Sequence, residues 1–112
     1  MAWFGGFTIE TYNRIPGDYE ELAAGVSAVA LSSTKIMPTT GPYARMAARA
    51  ALVSSENGDL RFRIDGGLPD VSSGHFLTSG DTLVLTGTQA IQQFRAIRNG
   101  DTDAVLKVTY FY

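Results

Sequence analysis

Asp103-Ala-Val-Leu-Lys-Val-Thr-Tyr-Phe-Tyr112 begins with a turn-forming aspartate and continues as a run of mainly β-branched, apolar and aromatic residues. Such residues suit a pleated, half-buried surface, so the run predicts a β-strand. Leu60-Arg-Phe-Arg-Ile-Asp-Gly66 and Asp81-Thr-Leu-Val-Leu-Thr-Gly87 have the same character and end at glycine. In the stretch that starts at Leu60, apolar and charged residues alternate, which predicts one face on the core and one face in solvent.

Composition limits the class of protein. The chain has 112 residues, of which 45% are hydrophobic and 18% charged, and its formal net charge is −2. This length fits one globular domain, and the small negative charge gives no reason to expect nucleic acid or an anionic membrane as a partner. Cysteine is absent, so the fold has to be stable without disulfides. No stretch approaches the roughly 20 apolar residues of a membrane helix, and no signal peptide is recognisable, so we expect a soluble product made inside the cell.

The first 23 residues mix aromatic side chains with glycine and proline, which prevents a long helix. They contain too many aromatic residues for a solvated tail. One interpretation is that this segment packs on its own domain, and the other is that it forms an arm that docks on a partner or a neighbouring subunit. The working division is an arm over residues 1–23 and a sandwich domain over residues 24–112. The candidate partner-binding residues of the arm are Trp3, Phe4, Phe7 and Tyr12.

The middle of the chain is less clear. Residues 25–33 are apolar on both faces, as in a strand buried between two layers. Residues 43–54 have high helix propensity but also the pattern of a strand of small residues. Strand is favoured, because Asn57-Gly58 is typical of a type I′ turn and predicts a hairpin with residues 60–64.

Residues 88–99 have the same ambiguity. Ile91, Phe94 and Ile97 are at helical spacing, whereas Asn99-Gly100 before the strand at residues 104–112 predicts a second hairpin. We favour strand here too. Six to eight short strands, with turn signals about every ten residues, predict an all-β, single-domain, two-sheet sandwich, jelly-roll-like, with few or no helices.

The residue types needed for catalysis are not assembled in the sequence. His75 is the only histidine, so no two-histidine metal site exists. Ser72 or Ser73 with His75 and Asp81 could be written as a triad, but no Gly-x-Ser-x-Gly elbow is present. Serine and histidine in such a segment are more often turn residues, and we expect no enzyme.

Cofactor and metal sites are also disfavoured. Asp101 with Asp103, or Asp65 with Asp70, could bind calcium, but neither pair has the spacing of an EF-hand loop. Aspartates in turns more often cap backbone groups. No glycine-rich phosphate loop is present. We therefore predict no catalytic, metal-binding or cofactor-binding residues.

Arginine is the one surface signal. If residues 60–64 and residues 88–99 both form strands, four of the nine basic residues could form a stripe on the solvent face. Guanidinium groups are enriched at protein interfaces. The alternative is an ordinary solvated face balanced by Asp65 and Glu56. The candidate partner-binding residues are Arg61, Arg63, Arg95 and Arg98.

The ordered set Arg61-Phe-Arg-Ile-Asp-Gly-Gly-Leu-Pro-Asp70, Ser73-Gly-His75, Leu77-x-x-Gly-Asp81, Phe94-Arg-Ala-Ile-Arg98 and Asp103-Ala-x-Leu-x-Val-Thr-Tyr110 resembles a family of small virion proteins of tailed phages. Some members of this family are capsid decoration, or cement, proteins with a jelly-roll-like sandwich. The similarity spans residues 60–110 and implies no catalytic residues.

The resemblance implies a protein on the exterior of the virion capsid, with the major capsid protein as its partner. Apolar termini, together with the two-fold and three-fold sites of capsids, favour a homodimer or, as an alternative, a trimer. The residues predicted to self-associate are Tyr110, Phe111 and Tyr112.

Two other functions remain open at this point. A tail or adhesin-type carbohydrate-binding module would use the same sandwich, with exposed aromatic rings stacked on sugars. A head–tail connector component would assemble in a ring. The rings that could stack on sugars are Trp3, Tyr12, Tyr19 and Tyr43.

Overall fold

A computed structural model describes residues 15–112 as two four-stranded antiparallel sheets packed face to face. The strands are β1 Pro16–Ala24, β2 Val29–Ala30, β3 Ala50–Glu56, β4 Leu60–Arg63, β5 His75–Leu77, β6 Thr82–Thr86, β7 Arg95–Arg98 and β8 Ala104–Phe111, and the helices are α1 Ser33–Ile36 and α2 Thr88–Gln93. The predicted all-β sandwich is confirmed. Neither helix in this part of the chain is long enough to cross a membrane.

The order of the strands is that of a jelly roll. The first sheet has the order β1-β8-β3-β6 and the second β2-β7-β4-β5, so the chain passes repeatedly from one sheet to the other. Among the described strands, only β4 and β5 are both consecutive in sequence and paired with each other. Almost every ladder therefore joins segments that are distant in the sequence.

Both predicted hairpins are wrong for this reason. Asn57 has the positive φ, 68°, that turn chemistry favours, but the turn leads from β3 in the first sheet to β4 in the second. Asn99-Gly100 likewise lies between β7 and β8, which belong to different sheets. A tight turn reverses the chain, whereas the burial of each strand's apolar face determines which sheet it joins.

Each of the segments that the sequence left ambiguous contains more than one kind of structure. Residues 43–49 precede strand β3, which begins at Ala50. In residues 25–33 the only strand is the two-residue β2, and helix α1 begins at Ser33. Residues 88–99 contain both predicted structures, since helix α2 is followed directly by strand β7. Ile91 and Phe94 are fully buried, which explains why apolar spacing favoured a helix and turn chemistry favoured a strand.

The predicted end of the arm, at residue 23, lies inside β1. This strand pairs along its length with β8, from Pro16 opposite Phe111 to Ala24 opposite Ala104. Residues 16–23 therefore belong to the sandwich, and the rest of the predicted arm, residues 1–14, lies outside the described residues.

The core lies between the inner faces of the two sheets. Strand β8 contributes most to it, because every second side chain from Ala104 to Tyr110 is fully buried. Leu60 and Phe62 of β4 and Ala96 of β7 face it from the second sheet. The large side chains buried without any exposed surface include Val53, Leu60, Ile91, Phe94, Leu106, Val108 and Tyr110.

The carboxylate of Glu20 and the hydroxyl of Tyr112 attach the segment after β2 to the first sheet. The hydroxyl of Tyr110 donates to the carboxylate of Glu20, which also accepts from the backbone N–H of Ser32 at 3.1 Å. The hydroxyl of Tyr112 donates to the carbonyl of Lys35, and burial raises the pKa of this tyrosine to about 12. These bonds hold residues 32–35 against the first sheet.

Replacing Tyr110 by Phe tests the Glu20 contact. The variant keeps the ring but leaves the carboxylate without its hydroxyl donor, so we expect the free energy of unfolding to fall by about 1.5–3 kcal/mol. Urea denaturation followed by circular dichroism measures the change. Tyr19→Phe is the matched control, because the Tyr19 hydroxyl donates to Glu21 on the exposed surface. An equal loss in both variants would contradict a specific role for the buried bond.

Candidate functional site

Three of the four predicted arginines share the outer face of the second sheet. Arg63 of β4 lies directly opposite Arg95 of β7, and Arg61 lies opposite Ile97. On the other side of β4, Phe76 of β5 lies opposite Arg61. Side chains alternate along a strand, so these residues point away from the core that their neighbours fill. We call Arg61, Arg63, Arg95, Phe76 and Ile97 the arginine face.

Arg61 is fixed at the centre of this face. Its guanidinium lies 5.3 Å from the centre of the Phe76 ring, in a cation–π contact. It also donates to the carbonyl of Gly74 at 3.1 Å and to the side-chain oxygen of Asn99 at 3.4 Å. A side chain ordered in this way loses less entropy when it contacts a partner.

Arg63 forms a two-bond ion pair with Asp65. Its Nε donates to Oδ1 at 3.0 Å and its second terminal nitrogen to Oδ2 at 2.6 Å. Arg63 is the main cause that lowers the pKa of Asp65 to about 2. The guanidinium of Arg63 packs over Gly67, and a Cβ at this position would lie 2.5 Å from it, so a larger residue would shift the arginine side chain.

Arg95 is held by backbone rather than by a carboxylate. It donates to the carbonyls of Gln92 and Phe94 at 2.9 and 2.8 Å. Within residues 15–112, the ion pairs include neither Arg95 nor Arg61. Among residues 15–112, the arginine face therefore keeps two positive charges that form no ion pair, on a chain whose formal net charge is −2, and Arg61 also has a longer-range attraction to the carboxylate of Asp70.

Arg98 does not belong to this face, which corrects the predicted stripe. It lies opposite the buried Leu60, on the side of β7 that Ala96 turns toward the core. At the end of the sandwich it pairs with Asp103 at 2.8 Å. The predicted balance of charge is also only partly right, since Asp65 pairs with Arg63 whereas Glu56 pairs with Lys107.

Exposed apolar side chains are concentrated beside the arginine face. Leu68 and Val71 are 66% and 68% exposed in the segment between β4 and β5, and Ile64 and Phe76 at its ends are 42% and 45% exposed. We call residues 64–74 the β4–β5 loop. Arginine, aromatic and aliphatic groups together are typical of protein-binding surfaces. Across residues 15–112, the other large apolar side chains with comparable exposure are Ile15, Tyr19, Val26, Met37 and Met46.

The residues predicted to self-associate are buried inside the domain. Tyr110, Phe111 and Tyr112 have 0%, 7% and 4% of their surface exposed. Strand β8 lies between β1 and β3, so it is not an edge strand. Tyr112 also stacks on Tyr43, with ring centres 4.6 Å apart. These aromatic rings stabilise the sandwich and are not available to a second subunit.

The predicted sugar-stacking rings do not form a platform on the described surface. Tyr43 is occupied by its stacking on Tyr112, and Tyr19 is exposed on the outer face of the first sheet with its hydroxyl bound to Glu21. Trp3 and Tyr12 lie outside the described residues, as do Phe4 and Phe7.

The residues considered for catalysis make turn and packing contacts within the described part of the chain. Asp70 accepts from the backbone and hydroxyl of Ser72, and Asp81 accepts from the N–H of Thr78. His75 packs against Phe62, with ring centres 5.3 Å apart. Over residues 15–112, no three His, Cys, Asp or Glu side chains come together as metal ligands.

The loops at one end of the sandwich form an open polar cleft of about 310 Å³. It lies between the β3–β4, β5–β6 and β7–β8 connections. Its lining carries amide, hydroxyl and carboxylate groups and no aromatic ring: Asn57, Gly58, Asp59, Ser79, Asn99, Gly100, Asp101 and Thr102.

Comparison with protein-family models, with curated proteins and with solved structures finds no match to this chain. The site therefore has to be judged from its own chemistry.

Sequence reasoning missed Phe76 and the exposed apolar side chains of the β4–β5 loop. Leu68 and Val71 have no neighbours in a regular pattern, so nothing in the sequence marks them as exposed. Phe76 is placed beside Arg61 by the register of β5 on β4, which the sequence does not specify. The alternation of charge in Leu60-Arg-Phe-Arg was the signal that did identify part of the face.

The Arg63–Asp65 pair can be tested by titration. We expect NMR to show the Asp65 carboxyl titrating near pH 2. Arg63→Gln should raise the pKa of Asp65 toward the ordinary aspartate value of 3.8, because the main hydrogen-bond donor is lost. Arg95→Gln is the control and should leave the Asp65 midpoint in place. An unchanged midpoint in Arg63→Gln would show that the pair does not form in solution.

Proposed function

We propose that this protein is a phage capsid decoration protein, which binds the outer surface of the assembled major capsid lattice and stabilises it. The phage context comes from the sequence resemblance over residues 60–110. The observation that carries the binding role is the arginine face with the adjoining β4–β5 loop. It supplies ordered cationic groups beside exposed apolar side chains.

The charges of this face indicate what it would bind. Arg61 and Arg95 form no ion pair within the described residues, so a complementary surface would present aspartate or glutamate. Guanidinium groups bind carboxylates through two parallel hydrogen bonds, which gives orientation as well as attraction. The apolar side chains of the β4–β5 loop would supply the buried centre of the contact.

The arm provides a second contact in this proposal. Trp3, Phe4 and Phe7 could each contribute about 1.5–3 kcal/mol if fully buried on the shell. Ordering the arm opposes part of that gain. Because the protein would bind the assembled lattice and not free capsid subunits, each bound copy shifts the equilibrium toward the intact shell.

Shell binding by charge variants tests the proposal. The target is the expanded shell formed by the major capsid protein of the same genome, and occupancy is measured by co-sedimentation. Arg95→Glu should weaken binding roughly tenfold or more, because it opposes a carboxylate surface. Lys107→Glu makes the same change in charge on the outer face of the other sheet and is the matched control.

Deletion of residues 1–10 should also lower occupancy while leaving the sandwich folded, because its first strand begins at Pro16. Two outcomes would overturn the proposal. One is that the unmodified protein does not bind the shell. The other is that Arg95→Glu, Lys107→Glu and the deletion all bind as well as the unmodified protein.

A carbohydrate-binding module is the second candidate, and the polar cleft of about 310 Å³ favours it. Its amides and carboxylates could bind sugar hydroxyls, although sugar sites usually include an aromatic ring as well. Saturable binding of cell-surface glycans, combined with no binding to shells, would favour this function over decoration.

A further inference from the structure

Among residues 15–112, strand β6 is an edge of the first sheet that no other strand covers. Its neighbour in the sheet is β3, and no side-chain hydrogen bond within these residues involves Thr82–Thr86. Proteins usually protect such edges with charges, proline, a bulge or a covering loop, because an exposed ladder recruits another strand. Thr82-Leu-Val-Leu-Thr86 has no charged residue and no proline, and its pairing with β3 has no register shift.

The other three edge strands, β1, β2 and β5, are either short or protected. Strands β2 and β5 have only two and three residues. Strand β1 contains Pro16 and Asp18, has an irregular register between Pro16 and Tyr19, and has its Glu20 and Asp18 side chains bonded to Ser32 and Lys35. Within residues 15–112, β6 is therefore the long edge without such protection.

The sequence of β6 is a palindrome. Read in either direction it is Thr-Leu-Val-Leu-Thr, so an antiparallel copy centred on Val84 places Thr82 opposite Thr86 and Leu83 opposite Leu85. In that register the two strands present identical faces to each other. Threonine pairs and pairs of large apolar residues are favourable across antiparallel strands.

The backbone of β6 offers its free groups in the same register. Gly87 donates to Arg49 at 2.7 Å and Ser55 donates to Asp81 at 3.1 Å, so the residues of odd number in β6 face β3. Alternation along the strand then turns the N–H and C=O groups of Thr82, Val84 and Thr86 outward. In a dimer whose two-fold axis passes through Val84, these three residues lie opposite Thr86, Val84 and Thr82 of the second copy. Every outward N–H and C=O group of β6 then gains a hydrogen-bond partner.

The side chains support the same arrangement. Leu85 is buried and Leu83 is partly buried against the core, while Val84 and the two threonines lie on the outer face. In the dimer, Leu83 of one copy lies opposite Leu85 of the other, so the two apolar cores would join into one continuous layer. Val84 would contact its equivalent on the outer face.

We propose that β6 is the self-association surface of this protein. Two copies pair their β6 strands antiparallel about a two-fold axis at Val84 and form one continuous eight-stranded sheet. The contact is closed, because each copy uses its β6 edge and leaves no second one to propagate a fibre. It replaces the predicted contact at Tyr110–Tyr112, which the domain buries. The arginine face lies in the other sheet and stays exposed in both copies.

Charges placed at the two threonines test both the surface and the register. Light scattering should show a dimer for the unmodified protein. The double variant Thr82→Lys, Thr86→Lys puts lysine opposite lysine twice in the dimer, so it should be monomeric. Thr82→Lys, Thr86→Glu puts lysine opposite glutamate at the same two places, so it should return to a dimer. Both threonines are exposed, so the fold should tolerate these changes, and circular dichroism verifies this.

Two controls separate this surface from others. Ala23→Lys adds a charge at an exposed position on the β1 edge and should leave the dimer intact. Deletion of residues 1–10 should also leave it intact. A monomeric unmodified protein would overturn the proposal, as would a dimer that survives two lysines. Failure of the lysine–glutamate variant to dimerise would reject the register, and loss of the dimer on deletion would assign the contact to the N-terminal segment.

Discussion

The pairing of β8 between β1 and β3 is the constraint on which the rest of the structure depends. It joins Ala24 to Ala104 and Ala50 to Phe111, so the two ends of the described chain and its middle form one sheet. The inward side chains of β8 fill the core. The segment after β2 is attached to that sheet by the Tyr112 hydroxyl and by the carboxylate of Glu20, which also accepts from Tyr110. Because these contacts are distant in sequence, the sandwich can form only when the whole chain has collapsed.

The fold class was predictable from the sequence, whereas the strand order was not. Alternation in residues 60–63 and the dense run at residues 104–111 identified strands correctly, because period two is a local property. Turn dipeptides were also recognised correctly, as the positive φ of Asn57 shows. They were misinterpreted as hairpins, because sheet membership depends on which face is buried against distant partners. The same limit led to Tyr110–Tyr112 being treated as an edge, since nothing local reveals that β1 pairs with β8.

The candidate site was predictable only in part, for a related reason. Arg61 and Arg63 follow from the alternation of one strand, and Arg95 joins them because β7 pairs with β4. Arg98 could have been excluded by the same rule, since an inward Ala96 places the residue two positions later on the inner side. Phe76 depends on the pairing of a three-residue strand that composition does not mark. The cationic character of the face was therefore visible in the sequence, but its apolar component was not.

The most direct test of the proposed function is the structure of shells saturated with the protein, determined by electron cryomicroscopy. We expect density for the sandwich on the outer surface of the shell, with the second sheet toward the capsid. Arg61, Arg95 and the β4–β5 loop should lie in the contact, opposite acidic side chains of the major capsid protein. Density in which this face points to solvent while another surface makes the contact would contradict the role of the arginine face. Shells that carry no additional density would contradict decoration itself.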